Sequence, residues 1–119
     1  MSNNSESIKI SRALHLSFIS SAIRVSAVTI DGGLFDTIKF LIDFSKNQEY
    51  NKYILNETFK IASGYGRQDV ISYIILNYAD EIENDTIITA MGHAINCDKP
   101  IETLESFLKQ KQEKEKVTI

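Results

Sequence analysis

Apolar residues recur along this chain at helical spacing, and one helical stripe returns after a fixed interval. Phe35, Ile38, Leu41 and Ile42 share a face of a helix predicted over 35–44. Shifted by 33 residues, Ile38, Leu41 and Ile42 land on Ile71, Ile74 and Ile75. Shifted again, they land on Leu104, Phe107 and Leu108. With 43% hydrophobic residues such a ladder would be a weak signal alone. Gly33 falling on Gly66, and Asp36 on Asp69 and Glu102, give it weight. A period of this length marks stacked helical units that bury their apolar faces against one another.

The intervening segments are also helical in pattern. Residues 1–6 are polar and predicted to be frayed. Ile10, Leu14, Phe18 and Ile19 give a helix face over 7–21, and 22–30 continues apolar until Gly32-Gly33 stops it. Ser45 or Asn47 is a candidate cap for a helix carrying Tyr53, Ile54, Phe59, Ile61 and Ala62, closed by Gly64 and Gly66. An acidic loop at 80–85 offers Asn84 or Asp85 as the cap of a helix over 86–96. Pro100 suits the first turn of a last helix running through Leu108 into a charged tail at 109–119. The β-branched pairs Ile74-Ile75 and Ile87-Ile88 are too short to read as strands. The predicted fold class is all-α, with six to seven helices in antiparallel pairs stacked as repeats over about 22–110. A compact helical bundle is the alternative.

Length and charge narrow the functional classes. One domain is expected for 119 residues. No apolar run reaches membrane-spanning length, and 1–6 lacks the cationic start of a secretory signal, so a cytoplasmic location is expected. Sixteen acids against thirteen bases give a net charge of −3, which disfavours a phosphate-tracking surface and hence nucleic acid. Cys97 is the single cysteine, so no internal disulfide can form. The chain holds 18 Ile against 8 Leu and 10 Lys against 3 Arg, a bias that suits an AT-rich genome.

The middle unit resembles an ankyrin repeat. Phe59, Ile61 and Ala62, then Gly66, Asp69, Val70, Ile71, Tyr73, Ile74 and Ile75, then Ala79-Asp80 follow that family's order: short helix, glycine turn, second helix, exit. Tyr78 stands where the family has its exit glycine. In the first unit Ser26 and Thr29 occupy core positions, in the third Lys99 replaces the glycine, and no Thr-Pro-Leu-His opens any unit in register. The resemblance implies a protein-binding scaffold without the family's hairpin fingers. A second likeness lies in the tail. Glu102, Glu105, Glu113 and Glu115, with Val117 near the end, resemble the glutamate-rich export signal of Legionella type IV effectors. An ordinary charged helix end is the alternative. Together with the composition, this makes the chain similar to small Legionella effector-regulators, among them an inhibitor of ubiquitin-modifying deamidase and transglutaminase enzymes. That likeness implies export into a host cytosol.

Candidate chemistry is sparse. His93 and Cys97, four apart on a helix, could act as base and nucleophile, but they lack an orienting third group. A small buried thiol beside a histidine is the plainer reading. Two such ligands are too few for zinc. Glu81, Glu83 and Asp85 alternate like a calcium loop, yet Thr86 and Gly92 stand where its glycine and final acid belong. Neither metal nor cofactor is expected. Tyr50, Tyr65 and Tyr78 fall at predicted turns, where exposed tyrosine suits an interface. With Arg67, Asp80, Glu81 and Glu83 they form the predicted partner-binding set. The function expected is non-enzymatic binding of another protein, an enzyme masked by its inhibitor, without nucleic acid or membrane. A structural homo-oligomer, such as a homodimer, and a Cys97/His93 enzyme are the competing classes.

Overall fold

A computed structural model describes residues 2–26 and 34–117, with side chains over 6–26 and 34–115. Among these residues the chain is helical throughout, without strands: α1 (Ser2–Ser26), α2 (Phe35–Phe44), α3 (Asn51–Tyr65), α4 (Gln68–Tyr78), α5 (Asn84–Asn96) and α6 (Glu102–Val117). Short 3-10 turns, Ser45–Asn47 and Ala79–Glu81, follow α2 and α4. The predicted all-α class with six helices is thus observed.

Helices form successive pairs. α1 packs on α2, α3 on α4 and α5 on α6, while α3 lies between α1 and α5 in one layer, and α2 lies beside α4 in the other. The least dimension, 23 Å, is two helix diameters. The most extensive contact joins α3 to α5, where Ala62, Ser63, Ala90 and Ala94 are all buried. Small side chains there let two backbones approach closely.

The ladder residues meet in one core. Ile38, Ile71 and Leu104 are buried in the same cluster, as are Ile42, Ile74 and Phe107, with Leu41, Ile75 and Leu108 packed half-buried at its edge. Phe59 reaches across to Phe107, ring centres 5.8 Å apart. Burying each such aliphatic contributes roughly 1.5–3 kcal/mol.

Local corrections follow from tertiary contacts. α1 begins at Ser2, so 2–6 is helical where fraying was expected. α1 runs unbroken across the boundary between the 7–21 face and its apolar continuation, and it forms the first pair with α2. Thr29 and Gly32-Gly33 lie outside the described residues. Ser26 does hold a buried position, but as a hydrogen-bonding group: its hydroxyl donates to Ala22 O at 2.6 Å and accepts from Arg67. The N-caps are Tyr50 and Glu83, not Ser45, Asn47, Asn84 or Asp85. Pro100 precedes α6 instead of opening it. The charged tail is helical to Val117, as its alternating Lys, Gln and Glu predict for a solvated helix end.

Each joint inside a pair carries a left-handed residue: Leu34 (φ 64), Gly66 (φ 69) and Asp98 (φ 58). Only the middle one is the glycine this conformation favours. At Gly66 a Cβ would also meet the Lys99 side chain at 2.8 Å. The Arg67 N–H then donates to Ala62 O at 2.9 Å, closing α3, and the Lys99 N–H closes α5 on Ala94 O at 2.8 Å. The third unit therefore turns at Asp98, one residue before the position the 33-residue spacing gave to Lys99.

Candidate functional site

The acidic turn between α4 and α5 is fixed by one side chain from α3. Asn56 is 9% exposed and uses its whole amide. Its Nδ2 donates to Lys52 O at 2.7 Å and Glu81 O at 2.8 Å, and its Oδ1 accepts from the Glu83 N–H at 3.0 Å and the Thr86 hydroxyl at 2.6 Å. A side chain from another pair thereby satisfies the start of α5, where Glu83 makes no side-chain cap of its own. Asp80, Glu83 and Asp85 are exposed around this fixed turn, and Glu81 is half-buried. Lys52 pairs with Glu83 at 3.1 Å, an exposed contact of small energetic weight.

Four members of the predicted set come together here. Tyr78, Asp80 and Glu81 line one cleft beside Lys46 and Asn51, and Asp80 and Glu83 line an adjoining one beside Asp85 and Lys111. Lys111 is held at the same edge, its Nζ donating to Ala79 O at 3.1 Å.

Tyr78 contributes mainly by anchoring. Its hydroxyl donates to Asp43 Oδ1 at 2.6 Å, and the Tyr73 hydroxyl donates to the same carboxylate at 2.7 Å, tying α4 to α2. Burial, then the bonds to Asp43 and its charge, push both phenols upward, Tyr73 to about 12. Lys39 Nζ stands 4.7 Å from the Phe35 ring and 5.8 Å from the Tyr73 ring.

Arg67 is a correction. It is 6% exposed, and its guanidinium grips Asp69 at 3.0 and 2.9 Å and donates to Ser26. A fork committed to a neighbouring carboxylate and to α1 joins helices instead of meeting a partner. Asp69's partial burial works to raise its pKa, but the bonds from Arg67 and the Val70 N–H outweigh it and hold the carboxyl below its usual 3.8.

Tyr50 and Tyr65 stand at opposite ends of α3, about 22 Å apart at 1.5 Å per residue. Tyr50 is half-buried beside His15, whose Nε2 donates to Leu41 O at 2.5 Å while Nδ1 faces the Tyr50 hydroxyl at 3.3 Å. Tyr65 is 39% exposed and lines a cleft with Lys60, His93 and Cys97. Cys97 is exposed, not the buried thiol expected. Among the described residues no group of three or more His, Cys, Asp or Glu side chains could hold a metal, and no helix is long and apolar enough to cross a membrane.

Comparison of the chain with protein-family models, with curated proteins and with solved structures finds no match.

Sequence reasoning passed over Asn56 and Asp43. A lone Asn inside a helix pattern and a lone Asp at a helix end carry no local signal of long-range bonding. It placed Ile10, Leu14, Phe18 and Ile19 on one helix face, yet only Ile19 of these is buried and the other three are exposed, as is Phe44.

Proposed function

We propose that this protein is a non-enzymatic protein-binding module that inhibits a partner enzyme by covering its active site. The observation that carries this is the acidic turn itself. Asp80, Glu83 and Asp85 are exposed on a turn whose backbone Asn56 holds at Glu81 O and the Glu83 N–H, with a further bond to the Thr86 hydroxyl. A turn ordered before binding spares the entropy of ordering it on contact, and its carboxylates favour a basic rim around a partner's cleft. Stacked helix pairs, read as ankyrin-like, suit such presentation. The likeness to small Legionella effector-regulators directs the search toward ubiquitin-modifying deamidases and transglutaminases, with the tail as the export signal.

The test begins with affinity capture from the source cell, comparing the natural protein with an Asp80→Lys, Glu83→Lys, Asp85→Lys variant and identifying captured chains by mass spectrometry. The captured enzyme is then assayed for ubiquitin deamidation and cross-linking as the protein is titrated in. Inhibition complete near one equivalent, with slower association for the charge-reversed variant, is expected. A captured enzyme whose activity is unchanged at saturating protein would refute the inhibitor reading.

A further inference from the structure

In this fold one helix register is an interface position. In α4 that position is Tyr73, whose ring meets Phe35 of α2 edge-on at 6.3 Å and whose hydroxyl holds Asp43. The residue 33 positions earlier in α2 is Phe40, and it is 66% exposed. Phe44, one turn further on, is 55% exposed. α1 repeats the arrangement. Its α3-facing side carries Arg12, 4.5 Å above the Tyr53 ring, and Ser20, which lines a cleft with Lys60 and Ile61. Leu14 and Phe18 lie roughly 160° around the helix from Leu16 and Ser20 at 100° per residue. They are 53% and 61% exposed. The outer side of the α1–α2 pair therefore bears the kind of surface that the inner pairs cover with a neighbour.

These side chains form one continuous patch. Ile10, Leu14 and Phe18 follow each other by single turns of α1. Leu14, Phe18 and Phe44 line a shared cleft of about 380 Å³, and Phe40 and Phe44 have ring centres 6.4 Å apart. Eight of the thirteen large apolar side chains that are exposed among the described residues belong to 6–44.

We propose that this α1–α2 face is a homodimer interface, on which the same face of a second copy packs about a two-fold axis. Three observations select that occupant. First, area: taking about 200 Å² per residue, Ile10, Leu14, Phe18, Phe40 and Phe44 together leave roughly 550–600 Å² of apolar surface in water. At the roughly 65% apolar character of homodimer interfaces this corresponds to about 850–920 Å² per partner, the size of a standard stable interface. Second, charge: no Asp, Glu, Lys or Arg lines the cleft, so two identical faces meet there without like charges in contact. The face also offers both projecting phenylalanines and a hollow between them, which isologous packing requires. Third, the opposite end is closed. Every exposed side chain described on α6, from Glu102 to Glu115, is polar, and α5 adds only Ile88 and Ile95 as exposed large apolar residues. Head-to-tail stacking would set apolar α1–α2 against that charged surface. Face-to-face pairing closes after two copies.

The interface is separate from the acidic turn, so either inference can fail without the other. Sedimentation equilibrium tests it on the full chain, up to about 0.1 mM, well above the micromolar affinity of weak interfaces of this size. The expected mass is twice the 13.5 kDa of one chain, falling to 13.5 kDa in Phe18→Glu and in Phe44→Glu with helical content and melting retained. Phe40→Ser serves as a milder variant should either glutamate disturb folding, and it is expected to weaken dimerisation at least tenfold. Leu76→Glu, at an 82% exposed position on α4, is expected to leave the dimer intact. A natural protein that stays at 13.5 kDa at every concentration, or a dimer that survives all three phenylalanine changes, overturns the proposal.

Discussion

Replacing Asn56 with alanine is the sharpest perturbation this fold offers. The change removes four hydrogen bonds of 2.6–3.0 Å with little loss of apolar contact. Lys52 O lies within α3 and keeps a helical partner, so that bond counts little. The other three matter at about 1 kcal/mol each. Thr86, 7% exposed, is left with a buried hydroxyl and adds to the loss, while the Glu83 N–H sits beside exposed side chains and regains water. The sum is about 2–4 kcal/mol. At about 2.1 cal/mol/K per residue, the unfolding entropy is roughly 0.25 kcal/mol/K, so Tm falls by about 8–16 °C. Circular dichroism at the helical minimum measures it, with Asn77→Ala as the control, because Asn77 is exposed and donates only to Tyr73 O. A double-mutant cycle with Thr86→Val isolates the shared bond. An Asn56→Ala protein melting within about 2 °C of the natural one would refute the reasoning, and strict additivity in the cycle would remove the Asn56–Thr86 bond from it.

Other changes test other joints. Ile71→Ala and Ile74→Ala should each cost about 2–4 kcal/mol in urea unfolding, whereas Lys109→Ala should change nothing measurable; equal tolerance would remove the ladder from the core. Thr58 is fully buried, and its hydroxyl has no partner among the described residues, so Thr58→Val should stabilise by about 1–2 kcal/mol, and a loss of stability would show a missed bond. Gly66→Ala should cost at least about 1–2 kcal/mol, while Leu34→Gly and Asp98→Gly should be neutral or stabilising in the same melts, since they sit in the same left-handed region. The phenols of Tyr73 and Tyr78 are raised in the fold, so the stability they lend is full below about pH 10 and is lost as pH rises toward 12. Tyr73→Phe should therefore lose less stability than the natural protein between those limits, and identical alkaline profiles would contradict it.

What the sequence made legible was the part of the fold set by local periodicity. The helix over 35–44 and the burial of Ile38, Ile71 and Leu104 follow from apolar spacing alone, because a stripe at 3.6-residue spacing has to be covered by something. The caps were not legible. Ser45 has the chemistry of an N-cap, yet its hydroxyl donates to Ile42 O at 2.7 Å and accepts from Asn51 at 2.9 Å, closing the turn instead of opening α3. At Glu83 the cap arrives from Asn56, 27 positions away. Arg67 misled for a similar reason. Beside a glycine turn it reads as a free cation, and only the fold brings Ser26 from α1 to meet it.

The candidate surfaces divide along the same physical line. Asp80, Glu83 and Asp85 are short, charged and next to a helix start, so exposure was predictable from solvation cost alone, and they are exposed. Phe18 and Phe44 were not predictable, because an amphipathic stripe states only that a face avoids water and not what keeps water away. Inside α3, α4 and α5 the cover is the next helix of the same chain. On α1 and α2 the stripe is wider than its neighbours can cover: Ile19, Ile23, Ile38 and Ile42 are sealed, while Leu14, Phe18, Phe40 and Phe44 remain in contact with solvent. A stacked-repeat sequence writes its core and its outer contacts in the same apolar code. Telling them apart requires knowing which side of a helix already has a neighbour, and for α1 and α2 that knowledge moves Leu14 and Phe18 from the expected core to join Phe40 and Phe44 on the surface where a second molecule is expected.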